Sequence, residues 1–221
     1  MIIDENVDSI IFDMDGTLWN ATDSYAAIWN RCFDDNGIDI HVTGEELVPY
    51  MGKPLDVIVD GITNGRVGQC FDKAKYVADL ARVEDEMMLA LGGKLYAGVY
   101  EGLERLSRHY KLFMLSNCGR NGLHNFMQFT HTADFFSGSV SYGENPVPKS
   151  ENIKRLATHY GLKRPVYVGD TQGDCDETHR AGIPFVYVRY GFGHCQDYDM
   201  AFDSFADLTE FFVELKNDAD I

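Results

Sequence analysis

The chain has 221 residues, which exceeds one average domain but is short for two independent domains, so we expect one core with an attached elaboration. Hydrophobic residues make up 45% and charged residues 24% of the chain, a composition that excludes intrinsic disorder. The formal net charge of -16 disfavours nucleic acid or an anionic membrane surface as a partner, because either would repel the chain.

Short apolar runs of strand length recur along the chain, bounded by Gly, Pro, Asn or Asp. They are Ser9–Phe12, Lys111–Leu115, Gly138–Ser141, Val166–Val168 and Phe185–Val188. Because consecutive positions are apolar, we expect strands that are buried on both faces. Apolar residues with helical spacing lie between them, near residues 99–106, 153–160 and 208–215. This alternation predicts an α/β fold, with a Rossmann-like parallel sheet of five or more strands flanked by helices.

The segment that follows the first strand breaks this alternation, since residues 18–92 contain helical patterns and no convincing strand. Its first helix is predicted to end near Gly37, and its last helix to reach the pair Gly92-Gly93. We therefore expect a small α-helical cap over residues 18–92, inserted after the first strand. Residues 1–17 and 93–221 would then form the α/β catalytic core.

Two aspartates follow the first strand. Asp13 and Asp15 are two positions apart, so a regular strand would direct both carboxylates to the same side. Carboxylates held this close repel each other, and a metal ion or a proton relieves the repulsion. Taken alone, the sequence is more typical of a turn in which Asp and Gly supply local hydrogen bonds. Its position at the carboxyl end of a parallel strand, where open α/β sheets bind ligands, favours a functional interpretation.

Later segments place complementary groups at the ends of other strands. Asp170 and Asp174 follow the strand at Val166–Val168, and carboxylates from two strand ends could together bind a metal ion. Ser116 follows the second strand, and Lys149 lies in the loop after the third. A hydroxyl and an ammonium group can both donate hydrogen bonds to phosphate oxygens. The segments together therefore predict a site that binds a metal ion and a phosphate group.

These motifs, in this order, resemble the signature of the haloacid dehalogenase superfamily. The matching segments are Asp13–Leu18, Leu115–Asn117, Lys149 and Val168–Asp174. The resemblance covers nearly the whole chain, including the insertion, where this family places a helical cap called type C1. The stretch from residue 169 to residue 193 is further similar to the phosphoglycolate phosphatase and beta-phosphoglucomutase-like branch. One departure is Ser150 after Lys149, where many relatives have proline, and it leaves the charge of Lys149 in place.

The resemblance implies a Mg2+-dependent phosphatase that hydrolyses a small phosphorylated metabolite through an aspartyl-phosphate intermediate. Asp13 would be the nucleophile, and Asp15 would act as general acid and base with its backbone carbonyl on the metal ion. Asp170 would be the second metal carboxylate, and Asp174 would bind the ion directly or through water. The substrate-binding residues in the motifs would be Ser116, Asn117 and Lys149. An aspartate at position 15 also excludes the dehalogenases and phosphonatases of the superfamily, which lack it.

Lys53 is a weaker candidate for substrate binding. It lies between predicted cap helices, where relatives with a C1 cap carry a loop that contacts substrate. A solvated surface lysine is the commoner case, so the sequence leaves both interpretations of Lys53 open.

Two alternative functions share most of these features. A sugar-phosphate mutase of the same superfamily has the same motifs and cap, and returns the phosphoryl group to a sugar instead of to water. A catalytically silent phosphate-sensing module on this fold is a second alternative, although the complete set of polar site residues counts against it. A nucleotide-binding Rossmann or P-loop enzyme is disfavoured, because no glycine-rich fingerprint follows the first strand.

The cysteines and the first residues give an expectation for location. The cysteines lack metal-ligand spacing and are read as reduced thiols; they are Cys32, Cys70, Cys118, Cys175 and Cys195. The first ten residues carry acids instead of a basic segment, and no apolar run approaches the ~20 residues that a membrane span needs. We therefore expect a cytoplasmic protein. The sequence leaves its oligomeric state open.

Overall fold

The computed structural model describes residues 1–64, 66 and 71–217. The strands in this part of the chain are β1 (Ser9–Phe12), β2 (Trp19–Asn20), β3 (Lys94–Leu95), β4 (Lys111–Ser116), β5 (Phe136–Ser141), β6 (Pro165–Gly169), β7 (Phe185–Val188) and β8 (Met200–Phe202). The α-helices are α1 (Thr22–Asp35), α2 (Gly44–Leu47), α3 (Leu55–Thr63), α4 (Lys73–Leu91), α5 (Val99–Ser107), α6 (Gly122–Thr130), α7 (Lys149–Tyr160), α8 (Gln172–Ala181) and α9 (Phe205–Asn217). Short 3-10 turns span Val48–Tyr50 and Ala133–Phe135.

A six-stranded parallel sheet forms the core, in the order β5-β4-β1-β6-β7-β8. Strand β1 lies near its centre, where Ile10 pairs with Leu112 of β4 on one side and with Val166 of β6 on the other. All four β1 residues are fully buried, which agrees with a strand covered by helices on both faces. The predicted Rossmann-like α/β fold is confirmed.

Two strands at the edges of the sheet differ from the sequence prediction. Strand β5 was expected to be buried on both faces, but only Ser141 in it is fully buried because β5 pairs with β4 alone. Strand β8 has three partly buried residues and pairs only with β7, and its apolar run is too short to predict a strand from the sequence. The interior strands were predictable because two neighbouring strands and two helical layers all require apolar residues there.

Helices α1 to α4 lie between strands β2 and β3, in the segment where the cap was expected. These two short strands pair in antiparallel fashion, with Trp19 opposite Leu95, so the chain leaves and re-enters the core along one two-stranded ribbon. Helix α1 packs against α4 through aromatic contacts, and the rings of Phe33 and Tyr76 stack with their centroids 5.0 Å apart. The described part of residues 18–92 is therefore largely helical, as expected, while the ribbon was not predicted.

None of the helices in residues 1–64, 66 and 71–217 combines the length and the apolar character needed to cross a bilayer.

Candidate active site

The loop after β1 turns sharply and brings its carboxylates against the end of β6. The backbone N–H of Asp13 donates to the carbonyl of Val168, at 2.9 Å. Gly16 has a φ of 83°, a left-handed conformation that favours glycine. A Cβ on Gly16 would lie 2.2 Å from Oδ2 of Asp170, so a larger residue would displace one of the two loops. The β1 loop and Asp170 can therefore approach this closely only because position 16 is glycine.

Three buried aspartates converge at this edge of the sheet. Ligand atoms of Asp13, Asp170 and Asp174 all lie within 4.8 Å of one another. Lys149 lies among them, and its Nζ donates to Oδ1 of Asp13 at 2.9 Å and to Oδ1 of Asp174 at 2.5 Å. Lys149 was expected in a loop, but it is the first residue of α7 and its side chain is buried. One cation thus compensates only part of the charge of three carboxylates.

The carboxylate of Asp170 is the best placed to bind a cation. Its Oδ2 accepts hydrogen bonds from the backbone N–H groups of Phe192, at 2.7 Å, and Gly193, at 3.3 Å. Its Oδ1 is buried and has no hydrogen-bond partner among the described residues. Burial, together with the charges of Asp174 and Asp13, holds the pKa of Asp170 well above its usual range. An orphaned oxygen within a carboxylate cluster fits the oxygen ligands that Mg2+ prefers.

Asp174 is less open to a metal ion than Asp170. Its Oδ1 accepts from Lys149, and its Oδ2 accepts from the N–H of Thr171 at 3.1 Å and from the hydroxyl of Thr171 at 2.7 Å. The hydroxyl of Thr171 in turn accepts from the N–H of Asp174, which completes a capping box at the start of α8. Asp174 therefore both caps its helix and holds the ammonium group of Lys149 in position.

Burial also sets the protonation of the two aspartates after β1. Desolvation raises the pKa of Asp13 to about 6, against the opposing effect of Lys149. Desolvation and the nearby charge of Asp13 raise the pKa of Asp15 to about 8. At neutral pH Asp13 is thus mostly a carboxylate, whereas Asp15 is mostly a carboxylic acid. This is the pairing that a nucleophile and a general acid require.

Two aromatic side chains donate hydrogen bonds to Asp15. The indole N–H of Trp19 lies 2.9 Å from Oδ1, and the hydroxyl of Tyr25 lies 3.3 Å from Oδ2. Trp19 belongs to β2 and Tyr25 to α1, and both are buried. A buried aromatic residue in a helical insertion is usually explained by packing alone. Their positions show that the insertion also contributes to the surroundings of Asp15.

The remaining predicted residues lie around a cleft between the cap and the core. Ser116 is the buried last residue of β4 and lines this cleft. Asn117 also lines it, but its Nδ2 donates to the backbone carbonyl of Gly52 at 2.9 Å and so holds the cap loop against the core. Lys53, the next residue in that loop, lines the cleft with an exposed side chain whose Nζ lies 5.3 Å from the ring centroid of Tyr50. All the site residues named from the sequence therefore lie at the carboxylate cluster or at this cleft.

The cleft holds about 60 Å3 of water-accessible space and is open to solvent. It lies on the Asp15 and Ser116 side of the carboxylate cluster, beneath the cap helices. Its lining is largely apolar or aromatic and consists of Asp15, Tyr25, Trp29, Leu47, Met51, Gly52, Lys53, Leu55, Ile58, Glu84, Ser116, Asn117, Cys118 and Gly119. The cleft therefore offers a largely apolar surface to a group bound next to Asp15.

Sequence reasoning missed Glu84, which lines the cleft from α4. The sequence does contain a signal for Glu84. Val77, Leu80 and Met87 lie on one face of α4 and pack against the hydrophobic core. Glu84 lies on the same face, four residues after Leu80 and three before Met87. A carboxylate inside an apolar stripe is unusual unless it has a partner or a task. The backbone donors of Phe192 and Gly193 to Asp170 could not be found this way, since they depend on the path of a loop.

Comparison with known proteins gives similar chains of nearly the same length. A family model described as haloacid dehalogenase-like hydrolase matches residues 10–188. The phosphoglycolate phosphatase of Aliivibrio fischeri is 26% identical over 200 residues, which cover 86% of this chain and 87% of that protein. Pyrophosphatase PpaX of Oceanobacillus iheyensis is 23% identical over 192 residues, which cover 84% of this chain and 85% of that protein.

Solved structures show the same fold. A haloacid dehalogenase-like family protein from Streptococcus pneumoniae superposes with a TM-score of 0.79 at 18% identity, over 93% of this chain and 98% of that one. A predicted phosphoglycolate phosphatase from Haemophilus somnus superposes with a TM-score of 0.78 at 25% identity, over 93% of this chain and 97% of that one.

Proposed function

The chain belongs to the haloacid dehalogenase-like hydrolase family, and we propose that this phosphatase hydrolyses a small-molecule phosphomonoester with Mg2+, through an aspartyl-phosphate intermediate on Asp13. The family membership confirms the resemblance of the motifs. The observation that carries the proposal is the buried cluster of Asp13, Asp170 and Asp174 around Lys149, with a second, neutral carboxyl group at Asp15. This arrangement supplies a nucleophile, an acid and a phosphate-binding cation at one edge of the sheet.

The proposed reaction has two steps. In the first, a carboxylate oxygen of Asp13 forms a bond to phosphorus, the bond from phosphorus to the substrate oxygen breaks, and the proton of Asp15 passes to that oxygen. In the second, the Asp15 carboxylate takes a proton from water, whose oxygen attacks phosphorus and releases inorganic phosphate from Asp13. Asp15 ends protonated and Asp13 ends as a carboxylate, so both groups return to their starting states.

Side chains around the two aspartates support this scheme. Lys149, at the start of α7, and Ser116, at the end of β4, can donate to the phosphoryl oxygens, because both lie next to the nucleophile. Trp19 and Tyr25 hold the carboxyl group of Asp15 in a fixed orientation, and burial keeps it protonated until it donates. Both effects are present before substrate binds, so they need no reorganisation during the reaction.

The residues that would hold Mg2+ are Asp13, Asp170 and Asp15, the last through its backbone carbonyl, and Asp174 would bind the ion directly or through water. Bound there, the ion would neutralise charge between the phosphoryl group and Asp13. The unpaired Oδ1 of Asp170 supports this assignment, because a buried carboxylate oxygen without a donor is costly unless a cation satisfies it.

The proposal is tested by measuring phosphate release from a panel of small phosphomonoesters with purified protein and Mg2+. We expect hydrolysis of at least one compound at kcat/KM of about 10^4 M-1 s-1 or above, and little activity on folded phosphoproteins, which the cap would exclude. Conversion of a sugar phosphate to an isomer without phosphate release would support the mutase alternative. Phosphate binding without turnover of any compound would support the phosphate-sensing alternative.

We expect the cap and the core to contribute differently to specificity. Lys53→Ala should change the order of preference among substrates, because Lys53 lines the cleft beside Asp15. Lys149→Met should lower kcat/KM for every substrate together, by about 100-fold, because Lys149 contacts the nucleophile and the phosphoryl position common to all substrates. The measurement is kcat/KM for each variant over one substrate panel.

The matched control for Lys53 is Lys73→Ala, which removes a lysine of the same cap that pairs with Asp60 outside the cleft. It should leave the order of preference unchanged. A uniform loss from both Lys53→Ala and Lys149→Met would contradict the assignment of Lys53 to substrate selection.

A further inference from the structure

The cleft beside Asp15 is where the leaving group of a phosphomonoester must lie. In-line attack by Asp13 places the leaving oxygen opposite the nucleophile, and Asp15 must reach that oxygen to protonate it. The part of the substrate beyond this oxygen therefore enters the cleft, whose lining includes Asp15 and Ser116. The chemistry of the cleft wall decides which leaving groups are accepted.

Glu84 supplies a carboxylate to this wall. It lies on α4, and its oxygens face the loop after β4, since Cβ atoms built at Gly119 and Gly122 would lie 3.7 Å and 3.9 Å from them. No side-chain or backbone donor among the described residues forms a hydrogen bond or an ion pair with Glu84. Burial, with a smaller effect of Asp85, raises the pKa of Glu84 to about 7. The side chain of Glu84 is thus partly buried in the cleft wall and has no protein partner among the described residues.

Lys53, the basic residue that lines the cleft, does not neutralise the charge of Glu84. Lys53 is exposed, its ammonium group lies over the ring of Tyr50, and it makes no ion pair with Glu84. The neighbouring acid, Asp85, accepts a hydrogen bond from Nδ2 of Asn121 at 2.8 Å and so is occupied by the core. Glu84 is thus available to a group that enters the cleft, and a cationic group there would favour its carboxylate form.

We propose that Glu84 determines the leaving-group specificity of this enzyme and selects phosphomonoesters of amino alcohols, whose ammonium group pairs with its carboxylate. This inference rests on the proposed function. An ammonium group supplies both hydrogen-bond donors and a compensating charge, whereas a hydroxyl supplies only a donor. A carboxylate on the leaving group is repelled by Glu84. The aromatic rings of Tyr25 and Trp29 in the same wall also favour a cation over an anion.

This specificity differs from what the names of several relatives suggest. Phosphoglycolate carries a carboxylate on its leaving group, and this carboxylate would have to lie in the cleft. The charged residues that line the cleft are Asp15, Glu84 and the solvent-exposed Lys53. We therefore expect phosphoglycolate to be a poor substrate of this chain.

The test compares O-phosphoethanolamine, propyl phosphate and phosphoglycolate, which carry an ammonium, a methyl and a carboxylate group on short leaving groups. The ratio of kcat/KM for O-phosphoethanolamine to that for phosphoglycolate should exceed about 10 in the unmodified enzyme and fall by about 10- to 100-fold in Glu84→Gln. Glu84→Lys should reverse the preference, a gain that a folding defect cannot produce. The control is Glu86→Gln on the same helix, an exposed glutamate paired with Arg82, which should keep the ratio.

Binding measurements separate this inference from the proposed function. Each compound is titrated calorimetrically into the Asp13→Asn variant in the presence of Mg2+. O-phosphoethanolamine should bind more tightly than phosphoglycolate, and the double variant that also carries Glu84→Gln should bind the two equally. Glu84-dependent binding without hydrolysis by the unmodified enzyme would overturn the proposed function alone. Hydrolysis with a ratio that Glu84→Gln and Glu86→Gln leave equally unchanged, or a preference for phosphoglycolate, would overturn the inference alone.

Discussion

Replacing Asp13 by asparagine is expected to lower kcat by at least about 10^4-fold, because an amide does not form an acyl phosphate under the same conditions. The fold should persist. Asp13 is one of three carboxylates within 4.8 Å of one another, and removing its charge relieves their repulsion while Lys149 keeps its bond to Asp174. The measurement is phosphate release from the best substrate of the panel, with circular dichroism and thermal unfolding on the same samples.

A matched control for this variant is Asp176→Asn. Asp176 lies on α8 two residues after Asp174, is exposed, and accepts a hydrogen bond only from Gln172 among the described residues. It should keep kcat within about threefold of the unmodified enzyme, as expected of a surface substitution. Turnover near the unmodified rate by folded Asp13→Asn protein would contradict the covalent mechanism.

Removing divalent cations is expected to abolish activity, and adding Mg2+ should restore it. Ca2+ should compete without supporting turnover, because it prefers longer and more numerous oxygen bonds than the six that Mg2+ holds, and so would misplace Asp13 relative to phosphorus. The measurement is the rate of phosphate release in excess chelator, then after titration with each cation. Full activity in excess chelator would rule out the metal ion.

A measurement of stability tests the metal site independently of activity. A cation that binds only the folded chain raises the free energy of unfolding, by about 2.7 kcal/mol at a cation concentration one hundred times its dissociation constant. The thermal unfolding midpoint rises with it. The effect should be lost in Asp170→Asn, since Oδ1 of Asp170 is the buried oxygen without a donor. Asp176→Asn serves again as the control and should keep the stabilisation.

The core of the fold was predictable because its signals are local. Strands such as Ser9–Phe12 and Phe185–Val188 are continuous apolar runs between turn residues, and the structure gives them the same limits as the sequence. The ribbon of β2 and β3 could not be predicted, because each strand has two residues and its partner is distant in sequence. Such pairing depends on the tertiary path of the chain and leaves no periodicity to detect.

The candidate site was predictable at the ends of strands and less so elsewhere. Parallel strands deliver their carboxyl ends to one edge, so Asp13, Ser116 and Asp170 could be grouped without coordinates. The contributions of Trp19 and Tyr25 were missed, because a buried aromatic residue in a helical insertion is usually explained by packing alone. Their donated hydrogen bonds depend on how the ribbon and α1 lie over the β1 loop, which is a property of the folded chain.

The ribbon that joins the insertion to the core has a consequence for recombination among related enzymes. A chimera that exchanged residues 18–92 for the equivalent segment of another protein would replace the cap side of the cleft, and it would also replace Trp19 and Tyr25. Both donors to Asp15 would leave with the exchanged segment, because β2 and α1 carry them. The insertion is therefore not a separable module, and an exchange that keeps the acid intact must place its junction after Tyr25.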